Sequence, residues 1–277
     1  MIASNVSAAA ATARTSPHMV VVRDVAKEFA TPAGVRIALN NISLSVEKGK
    51  TATILGPTGC GKTTLLNLIA GYTTPSRGEI LVDGKPIEKP APDRGFMFQR
   101  PTLFPWLTVL QNVEFPCLFG TEVGSFGSGA QIRKAAVGYL ERVGLADARD
   151  LYPHQISGGM QSRAALARLL LAQSPILLMD EPFAALDAQT RLSMQRLLTR
   201  VVGAEDKKTI VFITHDVEEA LLISDDIYLM SASPGRILRH VEVPFSRSSE
   251  YEEIVSSAEF MKLKHDLINQ LERLIPN

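Results

Sequence analysis

One octapeptide limits what this chain can fold into more than any other feature: Gly56-Pro57-Thr58-Gly59-Cys60-Gly61-Lys62-Thr63. It follows a short apolar run, Thr51–Leu55, and leads into Thr64–Ala70, which reads as a helix stopped by Gly71. Strand, glycine loop and helix in that order let successive backbone N–H groups turn inward around phosphate oxygens. The helix then presents the positive end of its dipole to the same anion. At this spacing Lys62 reaches the β- and γ-phosphate oxygens, and the Thr63 hydroxyl can ligate Mg2+. Cys60 lends the cradle its backbone, so no thiol chemistry is expected of it.

The rest of the chain supplies a frame for such a loop. With 277 residues, 45% of them hydrophobic, it can build a sizeable core as one large domain or two modest ones. From Met19 to Val46 the short runs MVVVRDV, VRIAL and NISLSV suit hairpin strands, and Glu79–Val82 before Asp83-Gly84 suits a strand and tight turn. Between about Gln99 and His154 apolar residues recur at helical spacing, with a Gly/Ser-rich break at Gly120–Gly129. That block reads as an inserted, mostly helical subdomain. A regular alternation then returns: helix Met160–Leu171, strand Ile176–Asp180, helix Ala188–Val202, strand Thr209–Thr214, helix Val217–Ile223, strand Asp226–Met230. Strands apolar throughout, alternating with helices, predict a mainly parallel sheet covered on both faces. Beyond it Phe260, Leu263, Leu267, Leu271 and Leu274 share one face of an amphipathic segment at about Tyr251–Ile275. That face is expected to pack on its own domain rather than to meet a partner.

Two smaller patterns carry chemistry. Strand Ile176–Asp180 ends in adjacent carboxylates, Asp180 and Glu181. The first suits a Mg2+ shell, and the second can activate a water that attacks a γ-phosphorus. Ser157-Gly158-Gly159 opens the helix near Met160; serine is a good cap, and two glycines leave the first amides unshielded. Alone, this is an ordinary capped helix. In a chain that already holds a complete phosphate loop it suggests a half-cradle completed in trans, each copy's Ser157 loop meeting the other's nucleotide.

Composition removes other classes. Lys+Arg and Asp+Glu are both 29, so the chain lacks the cation surplus that nucleic-acid binding needs, and nucleic acid is not an expected partner. Two cysteines, Cys60 and Cys117, have no metal-ligand neighbour at short spacing, which suits a reducing compartment rather than a secreted disulfide scaffold. No apolar run approaches the roughly 18–20 residues of a spanning helix. The best candidate, Leu169–Met179, is broken by Gln173, Ser174 and Pro175. Residues 1–18 carry a single Arg and no apolar core, and read as a disordered tail rather than a transit peptide.

Taken together, Gly56–Thr63, Gln99, Ser157–Gln161 (SGGMQ), Asp180-Glu181, Ala185-Leu186-Asp187 and Thr214-His215 stand in an order and spacing that resembles the ATP-binding-cassette (ABC) transporter ATPases, over about residues 19–245. The resemblance implies an α/β fold: a RecA-like P-loop NTPase core with an N-terminal antiparallel β subdomain and an inserted α-helical subdomain. The core with its β subdomain would occupy 19–98 and 162–245, and the helical subdomain 99–161. A tail of 1–18 and a C-terminal helical extension of 246–277 would flank them. It also implies a homodimer, or a pair with a second ATPase subunit, that sandwiches two ATP molecules.

Residue by residue, the resemblance implies that Gly56, Pro57, Thr58, Gly59, Cys60, Gly61, Lys62, Thr63 and Thr64 cradle ATP. Thr63, Asp180 and Gln99 would face Mg2+, Glu181 would be the general base, and His215 would contact the γ-phosphate. Ser157, Gly158 and Gly159 would clamp the opposite ATP, and Asp187 would couple the two sites. Phe29 would either stack on adenine or pack in the core. Two positions depart from the common pattern: Met160 stands where Gln usually follows Ser-Gly-Gly, and Ala184 where many relatives have Gly. Ser157 and backbone amides do the phosphate work, so activity is expected to survive both.

Beside Gln99, the run Leu103-Phe104-Pro105-Trp106-Leu107-Thr108-Val109 either forms a groove for a short cytoplasmic helix of a membrane subunit or anchors the helical insertion. Glu181–Arg191 (EPFAALDAQTR), Phe104-Pro105-Trp106 and Ser233-Pro234-Gly235-Arg236 look like the nitrate/sulfonate/taurine branch of bacterial importers. Neither a sugar-importer regulatory domain nor a fused membrane span is expected here. The resemblance thus implies an importer ATPase for a small anion, peripheral on the cytoplasmic face of the plasma (inner) membrane. Permease subunits would dock near Gln99–Trp106, with an extracytoplasmic substrate-binding protein as an indirect partner. The alternative is a cassette ATPase acting on nucleic acid or ribosomes; zero charge, a single cassette and no long coiled-coil insertion weigh against it.

Overall fold

The computed structural model describes residues 17–32, 34–119, 128–203, 208–245 and 251–274. Most of the expected tail (1–16), most of the Gly/Ser-rich break (120–127) and parts of the expected C-terminal extension (246–250 and 275–277) lie outside the described residues. In chain order the strands are β1 (His18–Thr31), β2 (Gly34–Glu47), β3 (Thr51–Leu55), β4 (Arg77–Val82), β5 (Lys85–Pro86), β6 (Arg94–Met97), β7 (Ile176–Asp180), β8 (Thr209–Thr214), β9 (Asp226–Met230) and β10 (Ile237–Glu242). The helices are α1 (Lys62–Ala70), α2 (Val109–Phe119), α3 (Gly129–Arg142), α4 (Gly158–Leu171), α5 (Ala188–Gly203), α6 (Val217–Ile223), α7 (Tyr251–Ser256) and α8 (Ala258–Glu272).

An antiparallel sheet in the order β2-β1-β4-β5 covers one side of a six-stranded sheet in the order β10-β9-β3-β8-β7-β6. In the larger sheet every neighbouring pair is parallel except β9 with β10. VRIAL and NISLSV, read above as separate strands, are one strand, β2. Asn41 at φ 54 and register shifts opposite it on β1 absorb the break in apolar pattern as a bulge. The Ser43 hydroxyl accepts from Asp24 N at 2.9 Å and donates to the Asp24 carboxylate at 3.0 Å, which stitches that bulge.

The buried strands show no polar alternation because both faces are cores. Successive side chains point to opposite faces. Ile176, Leu178, Val211 and Ile213 therefore join the cluster under the antiparallel sheet, together with Leu65 and Leu66 of α1. Leu177, Met179, Ile210 and Phe212 join the other cluster, with Val113 of α2, Leu140 of α3 and Leu166 of α4. The inserted helices thus share one core with the sheet.

Three strands were not legible: the two-residue β5, β6 and β10. β6 has only four residues, Arg-Gly-Phe-Met, and its glycine is needed for contact: a Cβ on Gly95 would lie 2.5 Å from Leu169 of α4. β10 is an edge strand whose residues are mostly exposed or half-exposed. The C-terminal segment divides into α7 and α8, because Ser257 caps α8 by accepting from Phe260 N at 3.1 Å. Phe260 and Leu267 are fully buried against Val217 and Leu221 of α6, with Leu263, Leu271 and Leu274 packed around them. Each fully buried large side chain contributes about 1.5–3 kcal/mol. Glu218 of α6 accepts from Lys264 and Tyr251, pinning this extension to the sheet's last helices.

Candidate active site

Parallel register brings the ends of β3, β6, β7, β8 and β9 to one edge of the sheet: Leu55 pairs with Thr214 and Leu229, Asp180 with Ile213, and Met97 with Met179. The loops leaving those ends carry the residues of interest, at the place where open α/β sheets bind ligands. The glycine loop follows β3. Gly61 holds φ 104, a left-handed conformation, and a Cβ there would lie 2.8 Å from Leu39, so only glycine fits. α1 begins without a side-chain cap and without an acid in its first turn, which leaves its positive end open. Lys62 is only 5% exposed, and its ammonium donates to Gly56 O at 2.7 Å and Pro57 O at 3.0 Å, spanning the mouth of the loop.

Beside the loop lies an open cleft of about 410 Å³, within the usual size of small-ligand sites. Thr58, Gly59, Gly61, Lys62, Thr63 and Thr64 line it together with Gln99 and Glu181. Phe29 sits on the cleft wall, 41% exposed, with Lys27 Nζ 5.1 Å from its ring centre, so the core reading of this residue is corrected. Cys60 is 1% exposed and burial pushes its thiol up, which leaves it an inert packing residue. Arg36 and Ser233 also line the cleft, a place that the sequence alone does not assign them. Arg36 lies directly across from Phe29 in the β1–β2 register, a signal available only once that pairing is known. Ser233 comes back to the cleft on the β9–β10 turn, which nothing local announces.

The two carboxylates at the end of β7 differ. Asp180 is buried, and burial holds its carboxyl above the usual range; the Glu181 charge adds to this, while the Thr63 hydroxyl bond and the Lys62 charge oppose it. A carboxylate bonded to the hydroxyl of Thr63 and close to Lys62 of the glycine loop is a hard oxygen donor set, which fits Mg2+. Glu181 takes φ 46, unusual for a residue with a side chain, and its N–H donates to Ile213 O at 3.0 Å. That turn sets its carboxylate, 15% exposed, 3.1 Å from His215 Nδ1 on the loop after β8. A smaller cavity of about 80 Å³ adjoins them, lined by Glu181, His215, Thr214, Arg191 and Glu219.

Other expected site residues lie away from this cleft. Ser157 caps α4, its hydroxyl accepting from Met160 N at 3.2 Å; Ser157 and Gly158 face solvent, and Gly159 abuts the Ala185–Leu186 loop. Asp187 accepts from Thr190 N at 3.0 Å at the start of α5, and the Thr190 bonds hold its exposed carboxyl below the usual range. Within one chain, then, the glycine loop lines the cleft and the Ser157 helix start does not.

The aromatic run after Gln99 divides its labour. Phe104 packs between Trp106 at 5.5 Å and Phe115 at 4.4 Å, and Asn112 accepts its N–H at 2.7 Å, so it anchors the helical insertion. Trp106 is 70% exposed, and Tyr72 stacks on Phe98 nearby in sequence to Gln99, both rings exposed. Among the described residues no helix is long and apolar enough to cross a membrane.

Comparison with known proteins agrees with this geometry. The family model described as ABC transporter matches residues 39–184. A taurine import ATP-binding protein of Chromobacterium violaceum is 43% identical over 241 residues, 86% of this chain and 90% of the relative. A nitrate import ATP-binding protein of Synechococcus elongatus is 37% identical over 250 residues, 90% of each. Among solved structures, the ATP-binding cassette MJ0796, in a dimeric post-hydrolysis state bound to ADP and Pi, superposes with a TM-score of 0.73 at 33% identity. It covers 82% of this chain and 100% of its own.

Proposed function

The chain belongs to the ABC transporter family as an ATP-binding, ATP-hydrolysing cassette, and on that premise we propose that it drives an importer for a small anion of the nitrate, sulfonate or taurine type. Relatives named for nitrate and taurine import support the substrate class. The protein would sit on the cytoplasmic face of the inner membrane, held by permease subunits at the exposed aromatic surface near Gln99–Trp106. An extracytoplasmic binding protein would deliver the anion to those permeases, and nucleic acid has no part in the cycle.

The observation that carries the reading is the separation of two anion-accepting helix starts, one in the cleft and one facing solvent. In a head-to-tail dimer, Ser157, Gly158 and Gly159 of a second copy would close over the triphosphate held by Gly56–Thr64. Phe29 would stack on the adenine. Lys62 would exchange its two carbonyl acceptors for β- and γ-phosphate oxygens. Thr63 and Asp180, with Gln99 beside them, would hold Mg2+, which when bound neutralises charge on those oxygens. Glu181 would take a proton from the attacking water as its oxygen bonds to the γ-phosphorus and the β–γ bridge breaks toward ADP. His215, bonded to Glu181, would steady the γ-phosphate, and Asp187 would relay closure between the two sites.

Glu181→Gln tests this directly. The variant should bind ATP as the natural protein does, lose turnover by about 1,000-fold, and accumulate as a MgATP-dependent dimer in ultracentrifugation. Retained steady hydrolysis would remove Glu181 as the base.

A further inference from the structure

Behind the His215–Glu181 pair lies a buried polar cluster that the reaction as described does not use. Glu219, on α6 one turn beyond His215, is 5% exposed. Its carboxyl accepts from the Thr214 hydroxyl and from Gln195 Nε2 at 3.2 Å. The Thr214 hydroxyl itself accepts from Asp216 N at 3.0 Å, so its proton must go to another acceptor, and Glu219 supplies one. The turn that carries His215 is thereby fixed at both neighbours of the histidine.

The same carboxyl faces α5. Arg191 lines the cavity shared with Glu219, Glu181 and His215, and its charge acts on Glu219. Arg191 Nη2 donates to Leu186 O at 3.1 Å, one residue before Asp187, while its Nε is buried and has no protein partner. The polar groups around Glu219 are Thr214 from β8, the α6 cap Asp216, and Gln195 and Arg191 from α5, with Glu181 and His215 lining the same cavity. Burial pushes the Glu219 carboxyl above the usual range, with the Asp216 charge adding and Arg191 opposing. A staple that served packing alone would be served as well by an apolar residue of similar volume. This cluster instead ends on the His215 loop and the Leu186–Asp187 loop, to which the proposed function assigns the γ-phosphate and the coupling of the two sites.

We propose that Glu219 is a positioning residue that locks the His215 loop and the Leu186–Asp187 loop into one register through Thr214 and Arg191. The proposal rests on the roles assigned to His215 and Asp187 above. Closure sensed at Asp187 would then move His215 as part of the same rigid unit, without Glu219 touching ATP.

The test uses the purified full chain and reads kcat, KM for MgATP and melting temperature. Glu219→Ala should lower kcat about 30-fold with KM within about threefold, because a small misplacement of a reacting group is costly while ground-state binding is untouched. Glu219→Gln keeps an acceptor for Thr214 and should recover kcat to within about fivefold of the natural protein. Arg191→Met should lower kcat too, and the double variant Glu219→Ala/Arg191→Met should be no slower than the slower single, since both act through one unit. Unchanged kcat in Glu219→Ala, a Glu219→Gln variant as slow as Glu219→Ala, or losses that multiply in the double variant would each overturn the proposal. Glu181→Gln runs alongside and separates the failures: inactive Glu181→Gln with unaffected Glu219→Ala sinks the positioning role alone. Active Glu181→Gln sinks the reading of the site on which it depends.

Discussion

α1 and α4 both start on glycines at a loop, yet they are built as opposites. α1 has no side-chain cap; its start is sealed by buried Lys62 bonded to the loop's own carbonyls, and it opens into a cleft. α4 spends its serine on a cap, has no cation in its first turn, and begins at residues that face solvent. Both helices lack an acid in the first turn, so helix dipole alone does not make a nucleotide site. What distinguishes α1 is the charge and the walls around it. α4 has neither until something supplies them, and a second copy of the chain, with its bound triphosphate, is the partner that would.

Perturbing each start in turn breaks or sharpens this contrast. Lys62→Ala should have the largest effect, cutting ATP affinity about 100-fold in equilibrium titrations, since it removes the cation that the glycine loop itself carries. Ser157→Glu should lower turnover about 30-fold by placing a carboxylate where triphosphate arrives, while nucleotide titration of the monomer stays within about twofold. Equal losses in both measurements would mean that Ser157 serves its own chain's cleft. Phe29→Ala should weaken ATP binding about tenfold, the scale of one base–aromatic stack. Ser157→Ala should cost about 1 kcal/mol of stability by chemical denaturation through loss of the α4 cap.

The smallest effect concerns Asp180. Its carboxyl is held above the usual range in the folded chain, so the folded state binds the proton more tightly than the unfolded one. Stability without nucleotide should therefore fall as pH rises from the ordinary carboxylate value through the raised one. Asp180→Asn should flatten that slope and melt higher than the natural protein when no nucleotide is added, measured between about pH 4 and 8.

What could be read beforehand tracks how local the physics is. The phosphate loop, the β7 carboxylates and the Ser157 cap are set by neighbours within a few residues, and each stands at the element boundary its spacing implied. β6 escaped notice because Gly95 answers to Leu169, seventy-odd positions away, and not to strand propensity. Arg36 reaches the cleft only by pairing opposite Phe29, and Glu219 is buried only because α5 lies over α6. Such residues are chosen by tertiary context, which a single sequence does not display.

The backbone of Glu181 carries a last implication for how this protein would evolve or be engineered. A side chain at φ 46 is disfavoured by about 1 kcal/mol relative to glycine. Replacement by glycine would relax the turn and delete the carboxylate in one step. Selection of this chain for heat resistance alone, with no demand for turnover, would then favour glycine at that codon, at the expense of the group proposed as the base.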